Sequence, residues 1–257
     1  MKTFEQYLAI ANQAVEHIKY PTRPAELYEP ISYTMNQVGK RVRPVLLLMA
    51  CDALGGDLEA AIPVAMGIEL FHNFTLLHDD VMDRADVRRG QPTVHTRWND
   101  NVAILSGDAM LVMAVKHIVQ APGHCVIHAL ELFDRTALQV CEGQQMDMDF
   151  EHRDDVTVDE YMEMIRLKTS VLLGASCRLG AMVAGAAEAT ARRLYDVGEN
   201  IGLAFQLRDD VLDVWGDPVT FGKAPGGDIM CDKKTFLLIN AMQRATGSDR
   251  DVLNHYV

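Results

Sequence analysis

The sequence has too few cations, no paired cysteines and no signal-like start, and each lack closes off a class of function. Its 24 Lys and Arg stand against 36 Asp and Glu, a formal net charge of −12. That balance lacks the basic footprint a nucleic-acid-binding surface needs. It also repels anionic substrates unless local cations or a metal reverse the field. The five cysteines, Cys51, Cys125, Cys141, Cys177 and Cys231, show no CxxC or CxxH spacing, so neither a zinc nor a redox motif is offered. Their odd number predicts reduced thiols in a cytoplasmic protein. MKTFEQYLAIANQ has no cationic stretch leading into an apolar run, which is not the pattern of a secretory signal. Apolar runs such as PVLLLMA and AMLVMAV are too short to span a bilayer, so no transmembrane segment is expected. No linker rich in Gly, Ser or Pro divides the chain, and no low-complexity tract is present.

What the chain does have is core-forming material, 49% hydrophobic over 257 residues, with helical periodicity throughout. Thr3 and Gln6 form a capping box ahead of a first helix. A second helical segment, PAELYEPISYTM, is expected to be interrupted at Pro30. Arg43-Pro44 opens an apolar helix that Gly55-Gly56 closes. Further helices are predicted near 59–84, 102–120, 124–151, 157–186, 188–214 and 229–245. In the stretch 127–144, Ile127, Leu130, Phe133, Ala137 and Val140 recur at three and four and predict one buried face. No period-two strand with hairpin turns is evident. These features predict an all-α, single-domain bundle.

The chemistry is concentrated in LLHDDVMDRADVRRG. Asp79, Asp80 and Asp83 end an apolar run, and Arg88 and Arg89 follow. On a helix, Glu69, His72, Leu76, Asp79 and Asp83 share a face. Ionised carboxylates at i and i+4 destabilise a helix by about 0.2–0.5 kcal/mol. A single DDxxD in so acidic a chain is adequately read as a solvated helix end. The pattern recurs, however, in FQLRDDVLDVWGD as Asp209, Asp210 and Asp213. Two such motifs on apolar helices beside cations point to a divalent metal. Mg²⁺ takes one or two carboxylates, keeps several waters and completes its shell with phosphate oxygens. The spacing is not that of an EF-hand. Lys40, Arg41 and Arg43 in GKRVRP, with Arg88 and Arg89, add guanidinium forks matched to phosphate. Lys168 in RLKTS, Lys223 in FGKAPGGD and Lys233 in DIMCDKKT are further candidates. Each alone is adequately a solvated surface lysine. His78, His95 and Cys141 are adequately packed residues.

Taken in order, GKRVRP, ELFHNFTLLHDDVMDRADVRRGQPT, NDNVAILSGDAM, EGQQMDM, RLKTS, FQLRDDVLD and GKAPGGDIMCDKKT resemble the trans-type polyprenyl (isoprenyl) diphosphate synthases across nearly the whole chain. The resemblance implies a bundle of mostly antiparallel helices around a central active-site cavity, the isoprenoid synthase fold, in a homodimer. It implies three Mg²⁺ held by the two DDxxD motifs, with Asp79, Asp83 and Asp209 as direct ligands. Asp80, Asp210 and Asp213 would be auxiliary, and Gln144 and Asp228 would hold metal-bound water. Arg88, Lys168 and Lys233, with Lys223 nearby, would bind an allylic diphosphate. Isopentenyl diphosphate would sit against Lys40, Arg43, His72 and Arg89, while Thr169 and Gln206 steady the reacting region. Asp79, Asp83, Arg88, Lys168, Asp209 and Lys233 would then carry the chemistry, in which ionisation, carbocation attack and proton loss make a longer prenyl chain.

Product length is expected to be set at Phe74 and Thr75, the fifth and fourth residues before the first aspartate. An aromatic ring there resembles short-chain synthases that stop at the geranylgeranyl (twenty-carbon) product, with the farnesyl (fifteen-carbon) product next. The alternative is that Phe74 is ordinary core. The 14 methionines suit a hydrocarbon tunnel or irregular core gaps. The chain ends at Val257 and is expected to lack the family's last C-terminal helices, and Asp232 replaces the usual glycine before Lys233. A class I terpene cyclase would not need the GKRVRP and RRG cations. A non-catalytic subunit of a heteromeric synthase would be expected to have lost aspartates from one motif.

Overall fold

Local rules account for most helix starts. In a computed structural model that describes residues 1–216 and 233–256 (the side chains of 254–256 apart), the Thr3–Gln6 capping box opens α1 (Phe4–Glu16). α2 (Ala25–Met35) carries Pro30 inside it without a break. The expected interruption fails because the proline ring is buried beside Ile31 and Met35, and that burial offsets one lost backbone bond. α3 (Val42–Ala53) starts at GKRVRP, and α4 (Leu58–Met82) begins on an Asp57 cap. After them come α5 (Val94–Arg97), α6 (Asp100–Ile118), α7 (Val126–Phe150), α8 (Val158–Ile165), α9 (Val171–Val183), α10 (Glu188–Trp215), α11 (Phe236–Arg244) and α12 (Ser248–Tyr256). The protein is all-α, as expected. The helix expected over 229–245 is seen from Phe236 onward.

Three local features depart from expectation. A minimal hairpin pairs β1 (Val87–Arg88) with β2 (Gln91–Pro92), and Arg89 and Gly90 at its tip have φ of 53° and 73°. Two successive positive φ values make a type I′ turn, which Gly90 adopts freely and Arg89 does not. The long helix expected over 157–186 is broken by a π-helical turn, Arg166–Ser170. Two glycines cradle that turn: a Cβ at Gly143 would strike the Lys168 backbone nitrogen, and one at Gly202 would lie 2.5 Å from the Ser170 Cα. In α7, Ile127 is 65% exposed while Ala129, Leu132, Phe133, Thr136 and Val140 are buried. The buried stripe is therefore rotated from the predicted face toward the smaller side chains.

The chain divides into two compact units, Met1–Asp134 with Ala175–Tyr195, and Arg135–Gly174 with Asp196–Val257. In the first, α4 packs against α1, α2, α3, α5 and α6. It is buried almost throughout, which is why its sequence is apolar on every side. α4 and α6 are each long and apolar enough, by length and composition, to cross a membrane, a property that short unbroken apolar runs do not reveal. The most apolar window of α4 is 67% buried inside the protein, as in a core helix, and that of α6 is 33% buried. In the second unit, Phe150, Val156, Tyr161, Met164, Ile165 and Ile239 form the core.

One polar knot sits in the first unit's core. Arg41, in left-handed conformation at the start of α3 (φ 45°), is 6% exposed. Its Nη1 donates to Glu69 Oε1 at 2.6 Å, and its Nη2 donates to the carbonyls of Met35 and Gln37. Asn73 Nδ2 donates to the same Glu69 oxygen at 2.9 Å. Removing one member leaves a buried charge unpaired, which costs about 3–5 kcal/mol, whereas replacing both with apolar side chains can be neutral. Arg41→Ala is therefore expected to lower the urea-unfolding free energy by about 3–5 kcal/mol. Arg41→Met combined with Glu69→Leu is expected to lose much less. A double variant as unstable as the single would assign the loss to packing rather than charge.

Candidate functional site

The first unit gathers cations around α4. Arg43 lies in the first turn of α3, and its Nη1 is 3.1 Å from His72 Nε2. A guanidinium only donates, so His72 Nε2 must accept, which places the imidazole proton on Nδ1. Burial, with Arg43, Arg89, Arg88 and Arg41 adding to it, holds His72 well below its usual pKa. Burial also pulls Arg43 down to about 10, with Glu69 opposing and Arg89 reinforcing the shift. Arg89 is exposed at the surface, yet partial desolvation of its guanidinium lowers it as well. Its guanidinium lies against Gly39, where a Cβ would be 3.1 Å from Nη1. The GKRVRP loop and the hairpin thus bring Arg43, His72 and Arg89 into mutual electrostatic range, with Lys40 exposed in the same loop. Arg41, grouped with these cations by sequence, is instead engaged with Glu69.

The aspartates are not equivalent. Asp79 and Asp80 lie in the last turn of α4, and Asp83 is its C-cap, with its N–H bonded to the Asp79 carbonyl at 2.8 Å. This is the negative end of the helix dipole, where carboxylates are disfavoured without cations. Asp80 is 5% exposed and accepts from Arg88 Nε at 2.6 Å. Burial raises its pKa, and Arg88 opposes the rise. Asp83 is exposed and Asp79 half-buried. In the second unit Asp209 is half-buried, and Asp210 and Asp213 are buried. Asp210 accepts from the Tyr161 hydroxyl at 2.5 Å and from the Phe236 N–H at 3.4 Å. The second aspartate of each motif is thus bonded to its own unit's scaffold.

Among the described residues, no three His, Cys, Asp or Glu are grouped so as to hold a metal by themselves. Carboxylate pairs of this kind fit a hard cation such as Mg²⁺, which fills its shell with water and phosphate oxygens.

The π-helical turn presents the RLKTS side chains. Lys168 Nζ pairs with Asp147 Oδ2 at 2.6 Å, and Thr169 Oγ1 donates to Gln206 Oε1 at 3.3 Å. Gln144 Oε1 is buried without a protein partner. Lys233 is half-buried just before α11. Lys223, Asp228 and Asp232 lie outside the described residues. Sequence reasoning passed over Asp147 and Tyr161. The first could have been found from its i+3 spacing to Gln144; the second carried no local signal.

Phe74 is 9% exposed and stands in a ring stack. Its centroid is 5.6 Å from Phe71 and 4.7 Å from His78, and Phe71 is 5.3 Å from Phe133. Thr75 is half-buried and donates to the His72 carbonyl at 2.8 Å.

Known proteins resemble the chain in both sequence and fold. The polyprenyl synthetase family model matches residues 24–257. The geranylgeranyl diphosphate synthase of Methanosarcina mazei is 41% identical over 238 residues, covering 92% of this chain and 74% of its own. The geranylfarnesyl diphosphate synthase of Aeropyrum pernix is 44% identical over 214 residues, covering 80% and 67%. A crystal structure of geranylgeranyl pyrophosphate synthase matches with a TM-score of 0.95 at 46% identity, covering 100% of this chain and 78% of that one.

His72 gives a pH signature. Its folded pKa is depressed, so the unfolded chain binds the proton first as pH falls. Its contribution to stability is whole above the unfolded value of about 6.5 and is lost as pH drops from there toward the folded value. The urea midpoint is expected to fall over that window, and less steeply in His72→Gln. An identical slope in the variant would assign the proton to another group.

Proposed function

The chain belongs to the polyprenyl synthetase family, a prenyltransferase with the all-α isoprenoid synthase fold, and we propose that it condenses isopentenyl diphosphate with an allylic diphosphate to a short-chain trans-polyprenyl diphosphate. Geranylgeranyl diphosphate is the first choice of product and farnesyl diphosphate the second. The observation that supports this reading is the cluster of Arg43, His72 and Arg89, with Lys40 exposed in the neighbouring loop, which suits an anion and contains no carboxylate of the aspartate motif. A chain-elongating enzyme needs two diphosphate sites of different make, one beside metal-binding carboxylates and one without. A terpene cyclase would need only the first. A non-catalytic subunit would have no use for two intact aspartate motifs.

Family members use a divalent metal. Here it would be Mg²⁺: in the first unit Asp79 and Asp83 are the proposed ligands with Asp80 behind them, and in the second unit Asp209 is, with Asp210 and Asp213 behind it. When bound, it supplies the charge that makes pyrophosphate a competent leaving group. The residues do the rest. Arg88 in the first unit, and Lys168 and Lys233 in the second with Lys223 as a further cation, are each suited to oxygens of an allylic diphosphate, whose carbon–oxygen bond breaks with its electron pair leaving on pyrophosphate. Arg43, Arg89 and Lys40 hold isopentenyl diphosphate. Neutral His72 adds a donor without adding a full charge. The isopentenyl double bond attacks the allylic cation, and the released pyrophosphate takes the proton that is lost. Thr169 and Gln206, bonded to each other on the π-helical turn and α10, steady the reacting end.

A homodimer is part of the same reading. α6 exposes Ile104, Leu105 and Val112, with exposed Val119 at its C-cap, an apolar face that suits a second copy. A cytoplasmic location completes it.

The test is to incubate the full chain with isopentenyl diphosphate, Mg²⁺ and, in turn, five-, ten- and fifteen-carbon allylic diphosphates, then size the products. Elongation is expected, and its absence would sink the reading. Asp79→Ala and Asp209→Ala should each reduce turnover by about 10²–10³-fold or more; near-normal rates would refute their assignment as metal ligands. Phe74→Ala should shift the products to longer chains. An unchanged distribution would leave Phe74 as a core ring only.

A further inference from the structure

The hairpin that carries Arg88 and Arg89 is too small to hold itself. Each strand has two residues, and Arg89 sits at φ 53° in its turn. Isolated hairpins are marginal even with longer strands, and a non-glycine residue at positive φ is disfavoured. Something outside must fix this one. Thr93 closes the base, its N–H donating to the Asp86 carbonyl at 3.0 Å. Beyond that base, Tyr33 of α2 donates its hydroxyl to the Pro92 carbonyl at 2.7 Å. The Tyr33 ring is itself held. Arg97 lies over it, with Cζ 4.4 Å from the centroid, and over the Trp98 ring at 4.8 Å. The two rings meet edge-on at 5.5 Å.

We propose that Tyr33, clamped by Arg97 and Trp98, is a positioning residue that fixes Arg89 relative to Arg43 and so sets affinity for the metal-free diphosphate. The inference rests on the isopentenyl diphosphate reading given above. Its physical basis is that both cation-bearing segments hang from the same end of α2. Arg41 bonds the carbonyls of Met35 and Gln37 and leads directly into Arg43. Tyr33, one turn earlier, bonds the strand that leads back to Arg89. Gly39, between these two ties, leaves room for the Arg89 guanidinium to lie against the loop. Two guanidiniums that grip one diphosphate need a fixed spacing, since each fork is directional. The Arg88–Asp80 ion pair holds the other arginine independently, so a change at Tyr33 should act on Arg89 more than on Arg88.

Tyr33→Phe keeps the ring stack and removes only the hydroxyl donor. Titration calorimetry of isopentenyl diphosphate into the full chain should show Kd raised about 5–10-fold, the size of one lost hydrogen bond. The KM for that substrate should follow, with kcat and the allylic KM within about twofold. Arg89→Ala is the companion variant. If it leaves the isopentenyl diphosphate Kd unchanged, the grip reading fails and the proposal with it. If Arg89→Ala weakens binding while Tyr33→Phe does not, the brace is overturned and the grip reading stands. Equal losses in both KM values and kcat with Tyr33→Phe would show a general structural defect and also overturn the brace.

Discussion

The buried Arg41–Glu69 ion pair sets the register on which the first unit's chemistry depends. Arg41 joins the end of α2 to the start of α3 and reaches into α4. From Glu69, helical pitch places His72 and Asn73 one turn on, and Asp79, Asp80 and Asp83 toward the helix end. From Arg41, Arg43 lies two residues along in the first turn of α3. The pair therefore locks Arg43 onto His72. It does so without being fully satisfied, since Glu69 Oε2, Asn73 Oδ1 and Arg41 Nε have no protein partner. Such a network contributes little net stability. Its value is positional, because sliding α3 along α4 would strand a carboxylate in the core.

The same logic explains how a chain of net charge −12 can hold anionic substrates. Long-range attraction is absent, so binding must come from short-range, desolvated cations. Desolvation lowers the pKa of Arg43, His72 and Arg89 because each resists being charged there. In the proposed reading, an arriving diphosphate would relieve that mutual repulsion. The carboxylates at the end of α4 pose the opposite problem. Asp80 meets it with Arg88, and in the proposed reading Asp79 and Asp83 meet it with a divalent metal.

Spacing made much of this legible in the sequence. The two aspartate motifs, the GKRVRP and RRG cations and the all-α class all follow from residue type and period. The difference between Asp79 and Asp80 does not, because neighbouring residues on a helix point about 100° apart and only packing decides which is buried. The hairpin was invisible because strands of two residues carry no period. The π-helical turn at RLKTS was invisible because it is defined by backbone bonding and by the approach of Gly143 and Gly202, both distant in sequence. Unbroken apolar runs did not reveal that α4 and α6 are apolar on average, because polar residues are spread thinly through each helix.

Product length is where fold and specificity meet. Phe74 is not an isolated plug but the third ring in a series from Phe133 through Phe71 to His78. His78 is held in turn: its Nε2 lies 3.0 Å from the Ile104 carbonyl, and its ring fills the space left by the missing side chain of Gly107. A tilted contact with Phe71 at 5.6 Å and an edge-to-face contact with His78 at 4.7 Å restrict ring rotation on both sides. A ring so confined presents one shape to whatever lies beside it. If Phe74 limits the growing chain, the limit is set by the stack that holds the ring as much as by the ring itself, and α6 takes part through Ile104 and Gly107.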